Sequence, residues 1–252
     1  MDLGIAGKKA LVCGASAGLG YACAQALVRE GVDVLIVART EAPLLAAAGR
    51  LRSVGAGAVQ CVAADVTTEA GRARIFEVQH DFDMVVTNAG GPPPGDFRDW
   101  DRDTWVRALE ANMLAPIELI KATVDGMMAR GFGRIVNITS SAVKSPVDGL
   151  GLSNGARSGL TGFVAGLART TVARGVTINN LLPGTFDTAR LAGNFAAQAA
   201  RQGITPEQAI AARLAKHPAH RFGQPDELGN TCAYLCSVHA GYINGQNILL
   251  DG

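Results

Sequence analysis

Short runs of valine, isoleucine, leucine and alanine recur along the whole chain and alternate with longer segments of mixed polarity. Such continuous apolar runs are typical of strands that are buried on both faces of a sheet. We predict about seven strands, at "KALVCG", "VDVLIVA", "AVQCVAAD", "FDMVVTN", "RIVNIT", "VTINNLL" and "NILLD".

The segments between these runs predict helices, for example "LGYACAQALVREG", "EAPLLAAAGRLRSVG" and "DTWVRALEANMLAPIELIKATVDGMMARG". Strands that alternate with helices favour right-handed crossovers and a parallel sheet covered on both sides, which is a Rossmann-type, doubly wound α/β fold. No repeat or linker interrupts the pattern, so we expect residues 1–252 to form a single domain. Residues 188–216 predict a helical lid insertion over the carboxyl ends of the strands, where ligands bind in such sheets.

Composition excludes several classes of protein. The chain has 252 residues, is 48% hydrophobic and carries a formal net charge of +1, without the basic stripe of a nucleic-acid binder. It has no apolar run long enough for a membrane span. Five cysteines show no metal-site spacing, which favours a reducing compartment, and we expect a cytoplasmic protein. His217 and His220 have no third ligand nearby in sequence, so no metal site is expected.

The first strand ends in "CGASAGLG", where Gly14, Gly18 and Gly20 precede a predicted helix. Glycine permits a tight turn and a close approach of the backbone to a pyrophosphate, which then lies at the amino terminus of the helix. This context predicts a dinucleotide-binding loop, although a purely structural turn is the alternative.

The second strand ends in "LIVARTEAPL", with Arg39 where an acidic residue would meet a free ribose 2′-hydroxyl. The guanidinium of arginine binds two phosphate oxygens at once. We therefore predict NADP(H) as cofactor, with NAD(H) less favoured; a plain surface role for Arg39 is the alternative. Asp65, which follows the third strand, either caps the next turn or contacts the adenine.

Together with "TNAG" at 87–90, "RIVNITSS" at 134–141, "INNLLPGTFDT" and "RFGQPDELG", these motifs resemble the short-chain dehydrogenase/reductase superfamily, in its branch of 3-oxoacyl-carrier-protein reductases. The resemblance spans nearly the whole chain, and it implies a substrate-binding oxidoreductase that assembles as a homotetramer. It assigns Ser140 as the catalytic serine and Asn112 as the holder of a relay water. The cofactor-binding residues implied by the motifs together are Gly14, Ser16, Gly18, Leu19, Gly20, Arg39, Asp65, Val66, Asn88, Ala89, Gly90, Pro183, Gly184, Thr185 and Thr188.

The active-site pair of the family is replaced. Its tyrosine falls thirteen residues after the serine and its lysine four residues later, which are Ser153 and Arg157 here. Serine is a much poorer acid than tyrosine, and arginine keeps a positive charge but does not release a proton at working pH. Positioned acid–base catalysis contributes about 10²–10⁴-fold, so its loss is severe unless another group replaces it.

Lys144, four residues after Ser140, is the first candidate for that replacement, and an ordinary solvated lysine is the alternative. His217, His220, Asp148 and Asp187 are weaker candidates. Cys13 stands where the family usually has threonine and should only weaken a local contact.

Three functions therefore remain. The first is an atypical NADP(H)-dependent oxidoreductase acting on a carbonyl or alcohol, in which Lys144 or a held water covers for the tyrosine. The second is a non-redox isomerase or lyase on the same scaffold. The third is a catalytically silent NADP(H)-binding subunit, in a heteromer with an active homologue. The lid offers Leu191, Phe195, Ile204, Arg190 and Arg201 as substrate contacts, and the substrate class stays open.

Overall fold

The protein is described by a computed structural model that covers residues 1–215 and 217–252, without the side chains of residues 197 and 198. Its strands are β1 (Lys9–Cys13), β2 (Asp33–Ala38), β3 (Val59–Ala63), β4 (Met84–Thr87), β5 (Gly133–Ile138), β6 (Val176–Pro183) and β7 (Asn247–Leu250). All pair in parallel, in the order β3-β2-β1-β4-β5-β6-β7. All seven predicted strands and the doubly wound α/β fold are confirmed.

The helices of the described residues are α1 (Gly18–Arg29), α2 (Glu41–Leu51), α3 (Glu69–Val78), α4 (Arg102–Leu109), α5 (Ala115–Arg130), α6 (Gly151–Thr171), α7 (Ala189–Gln202), α8 (Pro206–Ala215) and α9 (Pro225–Cys236). Helices α7 and α8 form the predicted lid insertion; its last residue, 216, lies outside the described residues. No helix in the described part of the chain is both long and apolar enough to cross a bilayer.

Successive residues of each strand face opposite sides of the sheet, which divides the core into two layers. In β1, Ala10 and Val12 pack with α1, α2 and α9, whereas Leu11 and Cys13 pack with α5 and α6. Both faces are therefore covered, which is why the strands read as continuous apolar runs. Burial raises the pKa of the Cys13 thiol to about 12, so this residue is a neutral part of the core.

The long helix that the sequence predicts between the fourth and fifth strands is not one regular α-helix. A π-helical turn, Glu110–Leu114, separates α4 from α5. Ala115 donates its N–H to the carbonyl oxygen of Glu110, five residues back, and Pro116 follows without an N–H to donate. The wider turn contains Asn112, in agreement with the frequent occurrence of π-turns at functional sites.

A ladder of buried polar side chains crosses four neighbouring strands. The hydroxyl of Thr87 donates to Asn137 Oδ1 (2.7 Å), Asn137 Nδ2 to Asn180 Oδ1 (3.1 Å), and Asn180 Nδ2 to Asn247 Oδ1 (2.8 Å). These residues are direct partners in the strand register. The ladder satisfies amides inside an otherwise apolar sheet, and burying them without partners would be costly.

Candidate functional site

Three adjoining clefts lie along the carboxyl edge of the sheet, where the strand order reverses between β1 and β4 and ligands bind in such folds. The β2 cleft, of about 360 Å³, lies beside the end of that strand. The loop cleft, of about 560 Å³, lies beside the glycine-rich loop and the amino terminus of α1. The central cleft, of about 640 Å³, lies over the end of β5. Asn88 and Ala89 line all three, so the clefts form one continuous surface.

The glycine-rich loop has the geometry of a phosphate cradle. Gly14 has φ +60°, and a Cβ there would lie 2.7 Å from Asn88 Nδ2. A Cβ on Gly20 would clash with the Gly14 carbonyl oxygen, so both positions require glycine. Helix α1 begins at Gly18 with no side-chain cap and no acidic residue in its first turn. Its first N–H groups and positive dipole end are therefore available to an anion, and the loop fits a dinucleotide pyrophosphate.

The β2 cleft contains the residues expected at the adenosine end of a cofactor. Arg39 is exposed and lines this cleft together with Asp65 and Val66. Asp65 Oδ1 accepts hydrogen bonds from the N–H of Thr67 (3.0 Å) and from its hydroxyl (2.8 Å). Asp65 therefore stabilises the turn after β3 and also lines the cleft, so its two proposed roles are compatible.

The segment after β6 forms the opposite wall of the loop cleft. Pro183, Gly184, Thr185 and Thr188 all line this cleft. A side chain on Gly184 would meet Asp251 Cβ at 2.7 Å, and the N–H of Gly184 donates to the Leu250 carbonyl (2.8 Å). These contacts hold the segment close to the sheet. The Thr188 hydroxyl accepts from the Leu191 N–H (3.3 Å) and so begins α7.

Asn112 is buried in the π-helical turn, next to Gly90, which lines the β2 and loop clefts. Its Nδ2 donates to the carbonyl oxygens of Ala108 (3.3 Å) and Gly90 (3.5 Å). Its Oδ1 is buried and has no hydrogen-bond partner among the described residues. A buried acceptor in this state recruits a donor such as water.

Ser140, Ser153 and Arg157 converge on the central cleft, which all three line. Ser140 follows β5, and its hydroxyl accepts from the Ala142 N–H (3.2 Å). Ser153 and Arg157 lie four residues apart on α6, hence on one face of the helix. Arg157 Nε donates to Ser153 Oγ at 3.2 Å. The structure thus brings Ser140, Ser153 and Arg157 together at one cleft.

The guanidinium of Arg157 also binds the end of β5. Its Nη1 donates to the carbonyl oxygens of Ile138 (2.9 Å) and Thr139 (2.8 Å). Burial, together with the charge of Arg190, lowers the pKa of Arg157 to about 10. The group therefore remains a cation at neutral pH. It is a fixed positive charge rather than a proton donor.

Lys144 does not lie at the centre of the site. It is exposed after the short turn Ser141–Val143 and is not among the residues that line the three clefts. Its position agrees with the alternative of a solvated loop lysine.

The other candidate proton donors also lie away from the central cleft. Asp187 is exposed, and Asp148 lines a separate groove beside Trp100. His217 is buried in a pocket of about 230 Å³ near the end of the chain, and His220 is exposed.

The cleft has wall residues that sequence reasoning missed. Gly91, Pro92 and Pro94 form part of the central cleft, as does Asn194 of α7. Asn194 follows Arg190 by four residues, so the two side chains lie on one face of the lid helix. This spacing could have identified Asn194 as a cleft residue from the sequence. The loop after β4 has no periodic pattern, and only its position in the fold places it beside the site.

The chain matches the family model described as "Enoyl-(Acyl carrier protein) reductase" over residues 14–252. It belongs to the short-chain dehydrogenase/reductase family. The 3-oxoacyl-[acyl-carrier-protein] reductases of Vibrio cholerae and Escherichia coli are each 32% identical to it, over 99% and 98% of this chain and 98% and 96% of their own length, respectively.

Solved structures agree with this membership. The L-sorbose reductase of Gluconobacter frateurii, complexed with NADPH and L-sorbose, superposes with a TM-score of 0.95 at 29% identity, covering 100% of this chain and 98% of its own. An actinorhodin polyketide ketoreductase with NADPH gives a TM-score of 0.89 at 28% identity, over 97% and 96% of the two chains. The family and these reductases support an oxidoreductase that uses a nicotinamide cofactor.

Proposed function

We propose that this member of the short-chain dehydrogenase/reductase family is an NADP(H)-dependent oxidoreductase that interconverts a carbonyl and an alcohol without the tyrosine–lysine pair. The observation that carries the proposal is the continuity of the three clefts. They connect the glycine loop and Arg39 at one end to Ser140 and Arg157 at the other. A chain that had lost cofactor chemistry would have no need to keep both the glycine loop with Arg39 and Ser140 with Arg157.

The glycine loop would hold the pyrophosphate, and the segment Pro183–Thr188 would hold the nicotinamide end. Arg39 supports the choice of NADP(H), because an exposed guanidinium lines the cleft at the end of β2 and suits a 2′-phosphate. A bound NADPH would supply the hydride that reduces the carbonyl carbon, and a proton taken up by the carbonyl oxygen would complete the alcohol.

Ser140 would donate a hydrogen bond to the substrate oxygen. Arg157 would stabilise negative charge that develops on that oxygen, because its charge is held in a largely desolvated position by three hydrogen bonds. Ser153, which accepts from Arg157 Nε, keeps its hydroxyl proton free to donate into the cleft. These residues supply electrostatic stabilisation but no strong acid.

Water would supply the proton. The unpartnered Oδ1 of buried Asn112 supports a water held close to Gly90, as the family resemblance implies. The exposed position of Lys144 does not support a direct role for it. We therefore favour the held water over the lysine as the replacement for the tyrosine.

The test begins with fluorescence titrations of the purified protein with NADPH and NADH. We expect tight binding of NADPH and clearly weaker binding of NADH. Arg39→Met should weaken NADPH by about tenfold or more and affect NADH little, since a charged hydrogen-bonding partner is lost. Arg74→Met, which removes an exposed arginine of α3, is the matched control and should bind both nucleotides like the wild type. Failure to bind either nucleotide would overturn the proposal.

Turnover is then measured as NADPH oxidation with panels of ketones, 3-oxoacyl and enoyl thioesters. Ser140→Ala should abolish most turnover while keeping NADPH affinity, whereas Lys144→Ala should retain turnover. Bound NADPH that no panel member oxidises would favour the silent subunit or the non-redox enzyme instead.

We also propose that the protein assembles as a homotetramer. Four large apolar side chains are exposed near the sheet edge formed by β7, namely those of Tyr234 in α9, Val238, Tyr242 and Leu249 in β7. An exposed apolar patch beside an unpaired strand edge supports a subunit interface. Light scattering coupled to size-exclusion chromatography should give four times the 26.0 kDa chain mass; a monomer would contradict this proposal.

A further inference from the structure

The central cleft has an unbalanced positive charge. Arg157, Arg190 and Arg201 all line it, and none of the described residues lining it is acidic. In the described part of the chain, no carboxylate lies within ion-pair distance of any of these three arginines. The charge of Arg190 lowers the pKa of Arg157, so these two cations repel one another across the cleft.

Two of these arginines are positioned by the lid helix α7. Arg190 and Arg201 are eleven residues apart, which is about three turns, so they lie on nearly the same face of the helix and about 16 Å apart along it. Asn194, four residues after Arg190, shares this face and also lines the cleft. The opposite side of the helix is apolar: Phe195 is buried and stacks on Phe222. The helix therefore presents a polar, cationic face to the cleft.

Binding of the proposed cofactor's phosphates does not explain why Arg201 lines the central cleft. Arg39 and the glycine loop, which suit those phosphates, line the β2 and loop clefts, and Arg201 lines neither. Arg190 lines the loop cleft as well, and its Nη2 donates to the Gly91 carbonyl at 3.2 Å. Arg201 is thus the cation that most clearly faces the substrate side of the site.

We propose, on the basis of the proposed oxidoreductase function, that the substrate is an oxo acid or the corresponding hydroxy acid, whose carboxylate binds Arg201. The planar guanidinium binds a carboxylate through two parallel hydrogen bonds. Arg157 and Ser140 lie at the floor of the cleft, where the carbonyl oxygen would be. Arg201 at the end of α7 recognises the acid group, and Arg190 adds to the attraction.

The experiment compares oxo acids with their methyl esters, which have the same carbonyl but no charge. Panels of 2-, 3- and 4-oxo acids are tested by NADPH oxidation. We expect kcat/KM for the best acid to exceed that of its ester by about ten- to a hundredfold, as for a hydrogen-bonded charge. In Arg201→Met this acid-to-ester ratio should fall at least tenfold. Arg169→Met, which removes an exposed arginine of α6, should keep the wild-type ratio.

Calorimetric titration of the same acids into the protein, with and without NADP⁺, gives a readout that does not need turnover. Saturable binding of the acid that Arg201→Met weakens supports the inference even where the nucleotide fails to bind, an outcome that refutes the proposed function alone. If NADPH binds but the acids bind no better than their esters, the proposed function stands and this inference is overturned.

Discussion

Replacement of Arg157 by methionine tests whether its guanidinium holds the end of β5, and with it Ser140, in position. Methionine keeps an unbranched apolar stem but has no guanidinium and no charge, so the three hydrogen bonds to Ser153 Oγ and to the carbonyl oxygens of Ile138 and Thr139 are lost. Two of these bonds hold the end of β5 and the residue after it, directly before Ser140. We expect the variant to be less stable and to have a displaced Ser140.

The magnitude follows from two opposing contributions. Each hydrogen bond from a charged donor contributes about 1.5–3 kcal/mol, or roughly 4–9 kcal/mol for the three. The lowering of the Arg157 pKa from 12.5 to about 10 shows that burial already disfavours the cation. This penalty amounts to roughly 3 kcal/mol and is relieved in the variant. The net loss is therefore about 1–6 kcal/mol, or a Tm lower by roughly 2–24 °C in a chain of this size.

Urea unfolding followed by circular dichroism, together with calorimetric Tm values, measures this loss. Arg169→Met on the same helix is the matched control, since Arg169 is exposed, and it should change stability by less than about 0.5 kcal/mol. Arg157→Lys keeps the positive charge but loses the planar guanidinium and its N–H donors. Its stability should therefore lie between those of the wild type and Arg157→Met. An Arg157→Met protein as stable as the wild type would refute the view that this guanidinium braces β5.

Three further predictions concern other parts of the fold. Asn180→Ala removes two links of the buried ladder and should lower the free energy of unfolding by about 2–4 kcal/mol in urea titrations. Gly162→Ala, in a helical position with no atom within 4 Å of the added Cβ, should raise it by about 0.5–1 kcal/mol in the same titration. The Arg221 hydrogen bonds lower the pKa of Glu227 from 4.5 to about 2, so the stability it contributes is present above pH 4.5 and lost as the pH falls toward 2. Glu227→Gln should remove that part of the acid dependence in Tm measurements; an unchanged pH profile would contradict it.

The sequence by itself determined the strands, the crossover topology and the glycine-rich turn after the first strand. Each depends on local information: apolar runs define buried strands, and a glycine pattern between strand and helix defines a turn that side chains would block. It also predicted Ser153 and Arg157 as replacements for the family's pair, from their spacing to Ser140, and this stays a prediction; their mutual spacing of four residues places both on one face of α6.

Only the tertiary structure decided what the side chains at the site do. Lys144 is close to Ser140 in sequence, yet it points to solvent, because the direction of a loop side chain depends on the packing around the loop. Arg157 is fixed by carbonyls eighteen and nineteen residues away, and Asn137 by a partner forty-three residues away. Sequence spacing does not predict such contacts, because they form only when separate segments meet in the folded sheet.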